Sequence, residues 1–294
     1  MYVYVWSGLT SRCATLADAY YLVKKLRGSK KLTVIWPVDK DCGIHFYEVF
    51  ADDMFDDIEL RVIEENKLET TNSIYNAKKL WLKEKLPVYV FREKYIDFTP
   101  PKEIGWSGKN YIRHLKSTYK RMRKELSEKK EIYIKAYCGI IKDEERENVD
   151  YTVIKFRDNY WKQVDRILKP DTKYIGVHIR RTDHNRAIKE SSTEAFIQQV
   201  REMVNEREEL KIFLATDDVT EQNAMKNVFG DRLVTQSGKR WGRDSSSKMK
   251  SGIIDCLCLS RCMCVLGSST SVFSSFSARY GKKELIICRN KDEE

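Results

Sequence analysis

No stretch of this sequence is apolar for long enough to cross a bilayer. Its longest apolar runs, IIDCLCLS and CMCVLGSS, fall far short of the ~20 residues that a spanning helix needs. The opening MYVYVWSGLT has neither the basic start nor the cleavage pattern of a secretory leader, and CRNKDEE is no tail anchor. The expected setting is therefore cytoplasmic, with reduced thiols. The eight cysteines lack the C-x2-C pairs that zinc favours. Four of them, Cys256, Cys258, Cys262 and Cys264, lie inside an apolar segment and read as free buried thiols rather than metal ligands. No internal repeat or low-complexity segment is present.

What the sequence does have is positive charge. The 294 residues carry a net charge of +10, with 33% charged and 41% hydrophobic residues. That balance fits a packed core under a wet surface. Much of the excess lies in YIRHLKSTYKRMRKELSEKKEIYIK, Tyr111–Lys135. Such a run is most often a solvated helix face. It also suits nucleic acid, an anionic membrane surface or a phosphorylated small molecule. Nucleic acid ranks last among these, because neither a recognised motif nor stacking aromatics accompany the charge.

Apolar, β-rich runs alternate with helical patterns almost throughout. In the first half, residues 2–7, 31–37, 58–64, 87–93 and 131–138 predict strands, with Pro37 stopping the second. Residues 10–26, 42–50, 70–86 and 111–130 predict helices. In the second half, strands are expected at 173–180, 211–216, 232–237, 262–266 and 283–289. Helices are expected late in 151–168 and over 192–207, 219–230, 247–262 and 270–281. A capping box of Ser191 or Ser192 with Glu194 opens 192–207, and Gly230 ends 219–230. Continuous apolar strands between helices imply parallel sheets covered on both faces. The expected architecture is α/β: two Rossmann-like domains facing a cleft, 1–160 and 161–294, with the boundary in the irregular stretch 145–170.

Ligands of open parallel sheets sit beyond the carboxyl ends of the strands. That rule selects Ser7 and Gly8; Arg180, Arg181 and Asp183; Asp217 and Asp218; Lys239 and Arg240; and the run Gly267-Ser-Ser-Thr-Ser271. A Ser/Thr-rich turn entering a helix offers N–H and hydroxyl donors to a phosphate. An arginine fork grips a phosphate through paired hydrogen bonds. A buried carboxylate such as Asp255 suits the N1–H and exocyclic amine of guanine. Taken singly, each has a plainer use. Gly-Ser-Ser-Thr and Thr-Asp-Asp are commonly helix caps. His178 inside a strand is commonly a satisfied core residue, and paired arginines are commonly surface charge. Their convergence on one sheet edge argues for a nucleotide-diphosphate pocket.

The stretch GVHIRRTD, Gly176–Asp183, resembles the H-x-R-R-x-D motif of the α1,2-, α1,6- and protein O-fucosyltransferase superfamily. FLATDD and SGIIDCLCLSRCMCVLGSSTSVFSSFS follow in that superfamily's order, with Asp255 twelve residues before Gly267. SGLTSRCATLADAYYL is a loose version of its N-terminal Gly-rich loop. The resemblance is specific over about residues 171–288. It implies a GT-B-like fold and inverting transfer of fucose from GDP-fucose without an obligatory metal or other cofactor. It also implies an acceptor side in 1–160 and a donor site in 161–294.

By that resemblance Arg180 or Arg181 binds the β-phosphate, with Gly8 in the N-terminal loop. Asp255 and the backbone near His178 hold the guanosine. Ser269, Thr270 or Ser271 bind the diphosphate, and Asp183, Asp217 and Asp218 support the donor or the key arginine. Strand alternation puts Arg180 with His178 and Arg181 with Ile179, so Arg180 is the favoured phosphate ligand and Arg181 is expected to pair with Asp183 or Asp218. The α1,6 branch carries a Glu a few residues past the motif, where this chain has Ile188. His184, Glu190 and Asp18 are the remaining candidates for the base. The acceptor is expected to be a glycan or lipid-linked glycan precursor of a polysaccharide, with the basic helix near an anionic membrane surface. The competing readings are a catalytically degenerate nucleotide-binding module and a nucleic-acid binder.

Overall fold

The computed structural model describes residues 1–25, 30–66, 95–105, 108–128, 132–205, 207 and 209–290. The chain divides into two compact units, Met1–Lys155 and Phe156–Glu294. The helix and strand expected at 70–86 and 87–93 lie outside the described residues.

The first unit carries β1 (Tyr2–Val5), α1 (Leu9–Lys25), β2 (Lys31–Val38), a single turn α2 (Phe46–Val49), β3 (Glu59–Asn66), β4 (Tyr95–Asp97), α3 (Gly108–Glu128) and β5 (Tyr133–Ala136). The strands form a sheet in the order β3-β2-β1-β5-β4, with every pairing parallel. Pro37 does not stop β2, contrary to the sequence reading. The last β1–β2 partners are Tyr4 and Ile35, so the missing N–H of Pro37 falls beyond that ladder while pairing with β3 continues to Val38.

Helix α1 is buried nearly all round and carries three buried polar anchors. Arg12 donates to the carbonyls of Ser7 and Pro37 and forks onto both oxygens of Asp39 at 3.1 Å. Thr15 Oγ1 accepts from Gly139 N, and Asp18 Oδ2 accepts from Ile140 N and Ile141 N at 2.6 and 3.0 Å. Gly139 is required at that turn. Its φ is +63°, and a Cβ would lie 2.9 Å from Asp18 Oδ2.

The second unit carries α4 (Asp158–Ile167), β6 (Tyr174–Ile179), α5 (Asn185–Glu190), α6 (Thr193–Val204), β7 (Lys211–Thr216), α7 (Val219–Phe229), β8 (Leu233–Val234), α8 (Ser246–Arg261), β9 (Cys264–Ser268), α9 (Val272–Tyr280) and β10 (Glu284–Cys288). The strand order is β10-β9-β6-β7-β8, again all parallel.

Alternation along β6 builds the two layers. Ile175, Val177 and Ile179 join Phe196 and Val200 of α6 and Met225 of α7 in one core. Gly176 and His178 face the other way. A Cβ on Gly176 would lie 3.0 Å from Leu259 of α8, and the His178 ring stacks on Phe273 of α9 at 4.5 Å. Each fully buried aliphatic or aromatic side chain contributes about 1.5–3 kcal/mol, which is why continuous apolar strands predict this layering.

Three local readings change. Only Leu233–Val234 of the expected 232–237 strand pairs with β7. Ser192 caps α6 by accepting from Ala195 N at 3.2 Å, while its own N–H goes to Asn290 Oδ1 at 2.8 Å. The reciprocal partner is therefore Asn290 rather than the Glu194 of a capping box. Helix α5 was not expected, because only Ala187 of its six residues is buried and it offers no periodic apolar face.

Candidate functional site

In the second sheet the chain runs outward from β6 through β7 to β8, then returns to β9 and β10 on the other side. The strand order reverses between β6 and β9, the place where open α/β sheets bind ligands. The turns leaving these two strands carry Arg180-Arg181-Thr182-Asp183 and Ser269-Thr270-Ser271.

Arg180 is fixed at its backbone and bridged at its side chain. Its N–H donates to Ser268 Oγ at 2.9 Å. Its guanidinium pairs with Asp217 at 2.7 Å and with Asp183. Burial and the neighbouring Arg243 lower its pKa, with Asp217 and Asp183 opposing. Asp217 in turn accepts from Arg181 N at 2.8 Å and from the Thr182 hydroxyl at 2.8 Å. Burial raises its pKa, but Arg180 and these donors outweigh it, so Asp217 is held below the usual carboxylate range.

Arg181 turns away to a different acid from the one expected. Its Nε donates to Glu221 at 2.7 Å and its Nη2 to Thr193 at 3.4 Å. Neither Asp183 nor Asp218 is its partner, because the chain turns after Ile179 and aims Arg181 at the N-termini of α6 and α7. Asp218 is the N-cap of α7, accepting from Thr220 N at 2.6 Å.

His178 is buried beneath Arg180. Its Nδ1 lies 2.8 Å from Ser274 Oγ and 3.4 Å from Ser271 Oγ. Burial and then the Arg180 charge lower its pKa to about 3, so the ring is neutral. Gly267 lets α9 approach this closely, since a Cβ there would lie 2.5 Å from Ser274 Cβ.

The Ser/Thr turn is bound on one side and open on the other. Ser269 is buried; its N–H donates to Ser191 Oγ at 2.9 Å and its hydroxyl to Glu190 at 2.5 Å. Thr270 is exposed and takes φ +58°, an uncommon conformation for a β-branched residue that concentrates at ligand sites. Ser271 caps α9 by accepting from Ser274 N, so the first-turn N–H groups of α9 point out of its start.

Asp255 on α8 is buried and pairs with Lys239. Burial raises its pKa against the opposing pull of Lys239. Its Oδ1 is buried with no hydrogen-bond partner among the described residues. Lys239 also donates to Thr216 O at 2.5 Å and lies 4.5 Å from the Trp241 ring.

The three base candidates fare differently. Asp18 is fully buried under the 139–141 turn. His184 caps α5, with Nδ1 accepting from Ala187 N at 3.2 Å. That tautomer places the ring proton on Nε2 and leaves no lone pair for a base. Glu190 is partly exposed, and hydrogen bonds from Ser269 and then Arg186 lower its pKa. Gly8 belongs to the first unit, where it precedes α1; the strained residue there is Ser7, at φ +75°.

Sequence reading missed two contributors. Arg243, in the loop after β8, pairs with Asp183. Asn290 donates to Glu190 O and Lys189 O and accepts from Ser192 N, at 2.8–2.9 Å. Arg243 lies well beyond β8, and Asn290, although just past β10, carries no charge to single it out.

Among solved structures, the chain is similar to fucosyltransferases over nearly its whole length. Fucosyltransferase NodZ from Bradyrhizobium is 16% identical, with 94% of this chain and 90% of that one covered at a TM-score of 0.58. NodZ α-1,6-fucosyltransferase soaked with GDP-fucose is 18% identical, with 95% and 92% covered at 0.56. POFUT1 in complex with GDP-fucose is 11% identical, with 98% and 97% covered at 0.54. No family profile matches the sequence, and no curated protein does. At these identities the likeness is one of fold. The chain is built from two parallel-sheet, Rossmann-like units, as in these GT-B fucosyltransferases.

Proposed function

We infer that this fold carries an inverting glycosyltransferase that moves fucose from GDP-fucose to a glycan acceptor. The observation that carries the reading is Arg180, its backbone N–H held by Ser268 and its guanidinium by Asp217, at the point where the strand order reverses. As the bond from the sugar to the diphosphate breaks, negative charge collects on the departing oxygen. A preorganised guanidinium there stabilises the transition state more than the ground state. Thr270 and the N-terminus of α9 supply further donors. The fixed cation supplies the charge that a divalent metal supplies in other transferases.

Asp255 Oδ1, buried with no hydrogen-bond partner among the described residues, supports the guanine assignment, because guanine offers N–H donors. Arg181, His178 and Asp218 act as positioning residues. Glu190 is the base candidate whose carboxylate is part-exposed, held by Ser269 and Arg186, which lower its pKa and keep it ionised.

Thermal shifts with GDP, UDP, ADP and GDP-fucose test the site. At one hundred times Kd, a ligand stabilises by about 2.7 kcal/mol. GDP and GDP-fucose should stabilise the wild type, and Arg180→Ala should abolish most of the shift. Stabilisation by GDP that Arg180→Ala leaves intact would sink the assignment. In turnover, Arg180→Ala should lower kcat about 100- to 1000-fold.

A second reading, a nucleotide-binding module without transfer, is favoured by one observation. Ile188 stands exposed on α5 where the α1,6 branch has a Glu. Tight GDP binding with no GDP release from GDP-fucose on any offered glycan would select that reading.

A further inference from the structure

Four cations around the site are paired within the second unit. Arg181 is matched by Glu221 and Lys239 by Asp255. Two cations, Arg180 and Arg243, share two anions, Asp183 and Asp217. A diphosphate that takes both of these guanidiniums must displace a carboxylate from them.

The two carboxylates are not equally held. Asp217 accepts from two backbone N–H groups and the Thr182 hydroxyl as well as from Arg180. Asp183 lies on an exposed turn with its side chain 49% accessible, and its partners are the two guanidiniums, one on each oxygen. A carboxylate bridging two guanidiniums uses the same donors as a phosphate does.

We propose that Asp183 is an internal stand-in for the diphosphate and that Arg243 is a second diphosphate ligand. The ligand displaces the Asp183 carboxylate and takes both arginines, drawing the loop that carries Arg243 onto the β-phosphate. This rests on the donor-site reading above and adds a residue and a competitor to it. The competition has a consequence of definite sign. An intramolecular occupant reduces apparent affinity by the fraction of time the site is free.

Calorimetry with inorganic pyrophosphate, which needs no guanine contact, tests the proposal. The proteins are wild type, Asp183→Asn, Arg243→Ala, Arg180→Ala and the Asp183→Asn/Arg243→Ala double, each checked for cooperative unfolding. Asp183→Asn should tighten pyrophosphate roughly tenfold, the value for a site occupied nine-tenths of the time. Arg243→Ala should weaken it about tenfold to a hundredfold, and Asp183→Asn should gain less in that background. Pyrophosphate binding that depends on Arg180 but is unchanged or weakened by Asp183→Asn overturns the stand-in. Binding that Arg243→Ala leaves unchanged overturns the second ligand. Absence of any Arg180-dependent binding overturns the donor-site reading itself, and this proposal with it.

Discussion

Replacing Lys239 by Met should destabilise the second unit far more at pH 8 than at pH 5. Lys239 and Asp255 form an ion pair whose side chains are 12% and 4% accessible. Removing one partner of a buried pair typically costs 3–5 kcal/mol, because the other charge is left uncompensated. The variant can escape part of that by protonating Asp255. From an unfolded pKa near 3.9, at 1.36 kcal/mol per unit, protonation costs about 1.5 kcal/mol at pH 5 but over 5 kcal/mol at pH 8. The Asp255 share of the loss is therefore capped at about 1.5 kcal/mol at pH 5 and reaches about 3–5 kcal/mol at pH 8.

The sign follows from the direction of the shift. Asp255 is already raised in the folded wild type, and losing Lys239 raises it further. Its contribution is fully present below the unfolded pKa and is lost as pH rises through the folded one. Urea unfolding at the two pH values measures the difference, with about 2 kcal/mol expected between them. Equal losses at pH 5 and pH 8 would refute the reasoning. The double variant Lys239→Met/Asp255→Leu should recover most of the stability, since an apolar replacement of a buried pair is often neutral. It should still fail to bind GDP if Asp255 meets the guanine.

Three further outcomes are expected. Gly267→Ala should cost about 1–3 kcal/mol by overpacking, because the new methyl meets Ser274 Cβ at 2.5 Å; the urea midpoint reports it. Burial pushes the Cys42, Cys256 and Cys288 thiols up to about 11, 12 and 12, so native protein at pH 8 should react with Ellman's reagent at these positions only at its unfolding rate. Helix α3 exposes Lys109, Arg113, Lys116, Lys120, Arg121 and Lys124, so the protein should co-sediment with phosphatidylserine vesicles at low salt and be released as screening shortens the Debye length.

Much of the second unit was legible in the sequence, since its strands are apolar on both faces and its helices are punctuated. Gly230 ends α7, and Ser271 caps α9. Alternation also placed His178 and Arg180 on one side of β6. Legibility failed where contacts are long in sequence and polar. Nothing local distinguishes Glu221 from Asp218 as the partner of Arg181, or marks Arg243, and Asn290 just past β10 shows no charge that would single it out. Pro37 misled because a proline's effect on a strand depends on where the neighbouring strand ends. In the first unit, nothing local marks Arg12 as an interior residue, yet it is wholly buried and holds the Ser7 turn.

The Asn290 clasp sets the order in which the second unit can be completed. It ties residues 189–192 to the chain following β10, and the Ser192–Asn290 bond spans 98 residues. His178 to Ser274 spans 96, and Ser269 to Glu190 spans 79. Contacts so distant along the chain close late, after their loop entropy has been met by other structure. During synthesis, the turn carrying Arg180 leaves the ribosome long before the residues that hold its surroundings. The proposed diphosphate site is thus a late product of folding, and a nucleotide bound there would serve as a clock for the arrival of β10.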